Sequence, residues 1–505
     1  MTFDSITEIK SIFAECGKEK HLVSALDLTL ELGGRVRCVF SVIGKESKGN
    51  VIEDLADVSK RGSNNFSDIS NGSWVTLGVE YKNSKGSSNS VYLISGRVNG
   101  INDSMRLTGT GLNVAKGYVL VSDLDFIDKL PVGSLFVPFF GNVLTPASVL
   151  LEDTWKTILS GSSGMSSLNV AKLAADLIDV KTGDSSTVEN GYVPSPTAKI
   201  NDRVRVDTAP VMGGLYSTAT AKRSIADYIS SNYDKDTPVN IFKNILSKFY
   251  LVCAPRTDGK ADVIENNGWY VGDAGKAEHV GLNLVTAATA VDYSGVYPGF
   301  DAVVVNMAPE SAKGVGSVAT ESQYITCAEV FDQTTKRAKL VHGRLKVSSD
   351  SSGMTVLTNS GGSFTVGKVK RAYLQDWMLY NELSEISGTS KENMLSSMDR
   401  IEGWAKFLAY NTYASINRIN NRVSLDLRIE GYFSLSNSLG KIMSFNLPNT
   451  ENKYYGRLTS IGLQISVGSA SLTAKSTATF DCVRDEVDNK NLCIDFTVYG
   501  NNNGK

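Results

Sequence analysis

The sequence is poor in the residues that build metal and acid–base centres. Its 505 residues hold three histidines, His21, His279 and His342. They lie far apart with no i, i+4 spacing and no C-x-x-C neighbour. A zinc or histidine-based catalytic site needs two or three such groups converging, so no catalytic, cofactor-binding or metal-ligating residue is assigned. The six cysteines, Cys16, Cys38, Cys253, Cys327, Cys482 and Cys493, are scattered and never at C-x-x-C spacing. A secreted disulfide scaffold is far denser. They read as reduced, mostly buried small hydrophobes of a protein made in a reducing cytosol. Excess charge of either sign is lacking too: Lys and Arg number 51 against 53 Asp and Glu, a net charge of -2. The longest basic grouping, Lys368-Val369-Lys370-Arg371, is too short for a nucleic-acid face or a polybasic membrane arm. No apolar run reaches the ~18 residues of a membrane span. Met1-Thr2-Phe3-Asp4-Ser5 carries no basic n-region followed by an apolar stretch, so no signal peptide is expected. P-loop, dinucleotide-fingerprint and nucleophile-elbow motifs are missing, and Ser160-Gly161-Ser162-Ser163-Gly164 reads as a flexible loop. Carboxylates are numerous, but none stands in a recognisable glycosidase pair. The expectation is a protein that is not an enzyme and needs no cofactor.

What the chain does have is β-pattern. Residues 23–30, 36–43, 74–81, 91–98 and 118–121 are rich in β-branched and alternating apolar residues, punctuated by Gly, Asn and Ser. Short strands with such turns suggest a barrel or sandwich. From about 146 the character becomes mixed. Residues 148–159, 168–180 and 225–249 carry apolar residues at helical spacing, with Thr237-Pro238 opening a helix whose stripe is Ile241, Ile245 and Phe249. A strand, a Thr257-Asp258-Gly259-Lys260 turn and a second strand follow. Residues 300–350 return to β. The strongest helical stretch is expected over 371–413, where Ile401, Trp404, Ala405, Leu408 and Ala409 form one amphipathic stripe. Val423, Leu425, Leu427 and Ile429 then alternate with polar residues, a period of two. Trp377, Tyr380, Trp404, Tyr410 and Tyr413 are candidates for a carbohydrate platform, although such spacing more often serves packing.

The two β sections share a pattern. Leu26-Asp27-Leu28-Thr29-Leu30 is like Leu425-Asp426-Leu427-Arg428-Ile429. Gly72-Ser73-Trp74-Val75-Thr76-Leu77 matches Gly440-Lys441-Ile442-Met443-Ser444-Phe445. Gly96-Arg97-Val98-Asn99-Gly100-Ile101 matches Gly456-Arg457-Leu458-Thr459-Ser460-Ile461. The order is the same in both. The fold expected is α+β, mainly β, with two similar antiparallel β-barrel domains flanking a mixed α/β middle region with helices. Its parts are an N-terminal barrel over 1–145, a mixed domain over 146–299, a β-rich connection over 300–370, a helical segment over 371–414, and a C-terminal barrel with tail over 415–505.

The closing segment resembles the final barrel of contractile phage tail baseplate hub proteins. The likeness is carried by Gly440 to Phe445, by Tyr454-Tyr455-Gly456-Arg457-Leu458-Thr459-Ser460-Ile461, by the Thr-rich Ala470 to Ser476, and by Val483-Arg484. The run from Thr237-Pro238 through Ala254-Pro255 to Gly259 is similar as well. The type VI secretion spike shares this barrel pair. The resemblance implies a structural hub subunit in the virion tail baseplate, assembled in the host cytoplasm. It implies a homotrimer, with tail tube protein, central spike and wedge proteins as partners. Two similar barrels per subunit give three subunits six similar units, so a threefold ring matches a hexameric tube. The alternatives are a carbohydrate-binding distal tail protein or adhesin and, further off, a cell-wall hydrolase.

Overall fold

The computed structural model describes residues 6–33, 35–45, 69–108, 111–127, 167–182, 200–206, 235–266, 278–279, 302–306, 324–332, 337–347, 354–357, 363–366, 371–374, 422–446, 453–467 and 472–483, with single residues between 225 and 232. Over these residues the chain is mainly β with few helices.

Six strands come first: β1 (Ile6–Cys16), β2 (Glu19–Glu31), β3 (Arg35–Lys45), β4 (Trp74–Asn83), β5 (Ser88–Thr108) and β6 (Gly111–Val121). They pair antiparallel in the cycle β1-β4-β5-β6-β3-β2 and back to β1, so the six close on themselves. Closure leaves no free outer strand in the cycle. The alternation in β2 explains its two faces: Leu26, Leu28 and Leu30 are buried, while Asp27 and Thr29 between them are half-buried. In β1 the apolar residues Ile6, Ile9 and Ile12 are three apart, which is not a strand period. Two register shifts against β4, between Ile6 and Glu8 and between Ile9 and Ser11, return each isoleucine to the core side. A bulge adds one residue, turning a spacing of three back into two.

The middle of the chain holds α1 (Asp123–Phe126), α2 (Ser167–Thr182), β7 (Val204–Val206), α3 (Pro238–Lys248), β8 (Leu251–Pro255), β9 (Ala261–Glu265) and β10 (Glu278–His279). Helix α3 starts where the sequence says it should: the Thr237 hydroxyl caps the Asn240 N–H at 3.3 Å, and Pro238 occupies the first turn. Its stripe of Ile241, Ile245 and Phe249 is buried. Residues 148–159 of the expected helix lie outside the described residues. The next strands, β11 (Ala302–Asn306), β12 (Tyr324–Asp332), β13 (Arg337–Val347), β14 (Met354–Leu357), β15 (Ser363–Val366) and β16 (Arg371–Leu374), form a separate sheet in the order β15-β14-β13-β12-β11-β16. The opening of the expected 371–413 helix is thus strand β16, parallel to β11. The remainder of that helix, with the aromatics Trp377, Tyr380, Trp404, Tyr410 and Tyr413, lies outside the described residues.

The chain closes with β17 (Arg422–Leu427), α4 (Ile429–Leu435), β18 (Ile442–Asn446), β19 (Lys453–Val467) and β20 (Leu472–Val483). These strands do not stand apart. One edge of β2 is divided: residues 19–23 pair with β1, and residues 25–31 pair with residues 460–466 of β19. The opening and closing β sections therefore form one hydrogen-bonded sheet of eleven strands. The closed cycle belongs to the opening section. The closing strands extend it as β17-β20-β19-β18, with β10 parallel to β18, and among the described residues they do not complete a second cycle.

Both sections also share one apolar core. Helix α4 links them. The Phe433 ring stacks on Tyr81 of β4 at 6.3 Å, and the Tyr432 hydroxyl donates to the Leu93 carbonyl of β5 at 3.3 Å. Burial, with the Cys38 thiol nearby, pushes the Tyr432 hydroxyl well above its ordinary range. Cys38 and Cys253 are buried free thiols. Burial pushes Cys38 up strongly and Cys253 to about 12, which keeps both as unreactive thiols. Cys16 is half-buried and also free. The side chains of Cys327 and Cys482, and Cys493 altogether, lie outside what is described.

Candidate functional site

The site is the sheet itself, and its parts are two repeated corners and the clamp between them. In the first corner β4 meets β5 with Trp74 opposite Arg97 and Val75 opposite Gly96. In the second, β18 meets β19 with Ile442 opposite Arg457 and Met443 opposite Gly456. These are the pairs that the matched motifs put in register. Hydrogen bonding repeats the correspondence. The Gly72 N–H donates to Val98 O at 2.8 Å, and the Gly440 N–H to Leu458 O at 2.8 Å. Val98 N–H returns to Ser73 O at 3.0 Å, and Leu458 N–H to Lys441 O at 3.2 Å. The Arg97 guanidinium donates to Gly72 O at 3.1 Å, and that of Arg457 to Gly440 O at 3.0 Å. Gly72 and Gly440 have φ of 87° and 81°, a backbone region that only glycine adopts without strain. The motif is therefore a physical unit: glycine turns the chain, and the arginine one strand away ties off its carbonyl.

The likeness continues past the corner. A bulge between Val98 and Gly100 against β6 has its counterpart between Leu458 and Ser460 against β20. β3 pairs with β6 as β17 pairs with β20. Four strands, β3 to β6, thus recur as β17 to β20 in the same order and with the same neighbours. This corrects one sequence match. Leu425 to Leu427 lie in β17, the counterpart of β3, whereas Leu26 to Leu30 lie in β2, which has no counterpart among the described strands and instead joins the two repeats.

Burial separates the twin arginines. Arg457 is 1% exposed, and Asp481 opposite it on β20 is 2% exposed. Arg97 stays partly open, stacked over Trp74 at 5.4 Å. Its Nε donates to Asp123 Oδ1 at 2.6 Å. Asp123 also pairs with Arg203, which is buried in the turn before β7. Burial and the Arg97 charge push Arg203 down to about 10, so it remains a cation at neutral pH, with Asp123 as its paired carboxylate. Beside it, Lys243 of α3 holds Asp125 at 2.7 Å.

The β8–β9 hairpin clamps the two repeats from outside. Its turn accepts the Ser95 N–H at Thr257 O (2.8 Å) on one side, and the Thr257 hydroxyl reaches Asn437 at 3.0 Å on the other. Gly33, in the β2–β3 turn, donates to Cys253 O at 2.8 Å. Gly259 has φ of 82°, and an added Cβ would lie 2.6 Å from both Ser95 O and the Trp74 ring. Gly259→Ala is expected to cost more than the ~1–2 kcal/mol of a left-handed L-residue. It should also speed amide exchange at Ser95, as its acceptor moves away. An unchanged denaturation midpoint and unchanged Ser95 exchange would show that the turn is not docked there.

The histidines are not gathered. His21 is buried in β2, while His279 and His342 lie on β10 and β13, strands of different sheets. Among the described residues no group of three or more His, Cys, Asp or Glu could hold a metal ion. No helix there is long and apolar enough to cross a membrane. Sequence reading missed β1, the Asp123 cluster and the β2–β19 joint.

No protein-family model matches the chain. No curated protein matches it in sequence. Among solved structures it is similar to the 43 kDa tail protein of prophage MuSo2 from Shewanella oneidensis, at 10% identity and a TM-score of 0.41, covering 94% of this chain and 98% of that one. It is also similar to a tail protein from Neisseria meningitidis MC58, at 9% identity and a TM-score of 0.38, covering 96% and 99%. At these TM-scores neither likeness assigns a role to any residue here.

Proposed function

We propose that the chain is a structural component of a phage tail and, more narrowly, the baseplate hub subunit that joins a hexameric tail tube to a central spike. The observation that carries this reading is the four-strand repeat, present twice in one chain with the same register and fused through β2. One protomer then offers two equivalent units, and a homotrimer offers six around its axis, which matches a sixfold tube. The motifs Gly440 to Phe445 and Tyr454 to Ile461, on which the resemblance to hub proteins rests, are those that build the second corner. The role is mechanical. Apolar burial and backbone pairing hold a stiff annulus, no catalytic step is assigned, and wedge proteins surround it. An obligate interface of this kind buries on the order of 2,000 Å² or more between neighbours.

Mass photometry and electron microscopy of the purified chain test the reading. The expected particle has three times the 54.4 kDa of the protomer and shows six similar densities about a threefold axis. A species that stays at the protomer mass at every concentration overturns it.

A further inference from the structure

We propose that the open edge of β5 at residues 99–105 receives a strand from the closing repeat of a second copy of this chain, an inference that rests on the ring assembly proposed above.

The argument starts from the filled edge. In β19, residues beyond the corner do not pair with β18, which begins at Ile442 opposite Arg457. Their free edge is taken by residues 25–31 of β2, over seven register pairs. The Leu32 N–H donates to Thr459 O at 2.7 Å, which fixes the parity: Thr459 and alternate residues after it aim their backbone groups at that edge. Arg97 and Arg457 are counterparts, so the repeats are offset by 360 positions (457 minus 97), and the shared bulge keeps that offset beyond the corner. Thr459 therefore corresponds to Asn99. On β5 the groups aimed outward are those of Asn99, Ile101, Asp103 and Met105, while the other edge is occupied by β6 as far as the Thr108–Gly111 turn. Among the described residues no strand pairs with this outward edge.

A row of unpaired N–H and C=O groups of this length is a template for another strand. The occupant follows from the repeat. Within one chain, the opening repeat hands β2 to the edge of the closing repeat; the closing repeat has no described counterpart of β2 and presents instead β17, which pairs only with β20 among the described strands. The unit that stands one step before an opening repeat is therefore a closing repeat, and its chain must be a different copy. The contact is head-to-tail, and it closes into a ring when its rotation divides the circle. Side-chain chemistry has little part in it, which suits an edge recognised by backbone bonds.

Hydrogen exchange read at single residues, on the intact chain as dilute protomer and in its purified assembly, tests this. The amides of Ile101 and Asp103 are expected to exchange freely in the protomer and to slow by at least about tenfold in the assembly. Asp103→Pro removes one outward N–H and leaves the β5–β6 bonds at Asn102 and Ser104, so it should fold with native circular dichroism and fail to assemble. If that variant does not fold, the exchange data decide alone. Protection already present in the protomer would mean that the chain covers its own edge, which overturns the inference and leaves the hub reading intact. An assembly in which both amides stay fast, and in which Asp103→Pro joins normally, also overturns the inference alone. A native chain that never leaves the protomer mass overturns both.

Discussion

Asp123→Asn is expected to destabilise the protein by about 3–5 kcal/mol, the cost of removing one partner from a buried ion pair. Asp123 is itself buried and answers two arginines, Arg97 on β5 and Arg203 before β7. Arg203 is only 3% exposed, so solvent cannot replace the lost carboxylate. Asparagine is nearly isosteric, and the loss therefore reports charge, with two cations left facing one neutral amide. Asp125→Asn is the control. It lies two residues on and also meets a cation, but its pair with Lys243 is 22% and 29% exposed, and such pairs are worth about 0–1 kcal/mol. Guanidinium denaturation of the two variants separates them. Equal midpoints would mean that Asp123 is no more buried in solution than its neighbour. Because Arg203 belongs to the middle region, the Asp123 variant should also expose the β7–β9 region to limited proteolysis before the strands around it.

The second large effect distinguishes the twin arginines. Arg457→Met is expected to cost about 1–3 kcal/mol, because it deprives Gly440 O of its donor at a position where Arg457 itself is only 1% exposed and water cannot take its place. Methionine keeps most of the stem, so packing changes little. Arg97→Met makes the same chemical change at the equivalent corner and should cost about 1 kcal/mol, since Arg97 is a quarter exposed and Asp123 keeps Arg203. The prediction is a difference between two positions with identical backbone roles. Urea unfolding of both variants checks it, and similar losses at the two corners would contradict the burial seen at Arg457.

This contrast shows how far sequence reading reached. The corner motifs were legible because each is local in its demands. Gly72 and Gly440 need positive φ, and Arg97 and Arg457 need only cross to the adjacent strand, so the residue types survive as a pattern. The alternation at Leu425 and Leu427 was legible as a strand but not as a particular strand. Its period of two fits β2 and β3 equally, and pairing with β20 alone reveals β3 as its counterpart. β1 was missed because Ile6, Ile9 and Ile12 are spaced by three, and only the bulges opposite β4 restore their common face. Helix α3 was legible in full, from the Thr237-Pro238 start to the Phe249 end of its stripe, since capping and periodicity both act within a dozen residues. Nothing in the residue types around Asp123 announced that Arg203, eighty positions away, would share its charge.

Taken alone, the amino-acid order determined that this chain is mainly β and that its opening and closing parts share corner units. Those properties follow from alternation and from glycine's conformational freedom. The tertiary structure alone decided that the repeats fuse through the divided edge of β2, that only the opening section closes among the described residues, and that Arg457 is buried while Arg97 is not. The reason is physical: strand pairing is made by backbone groups common to every residue, so which edges meet across 429 to 441 positions is set by packing and closure, and leaves no signature in side-chain order.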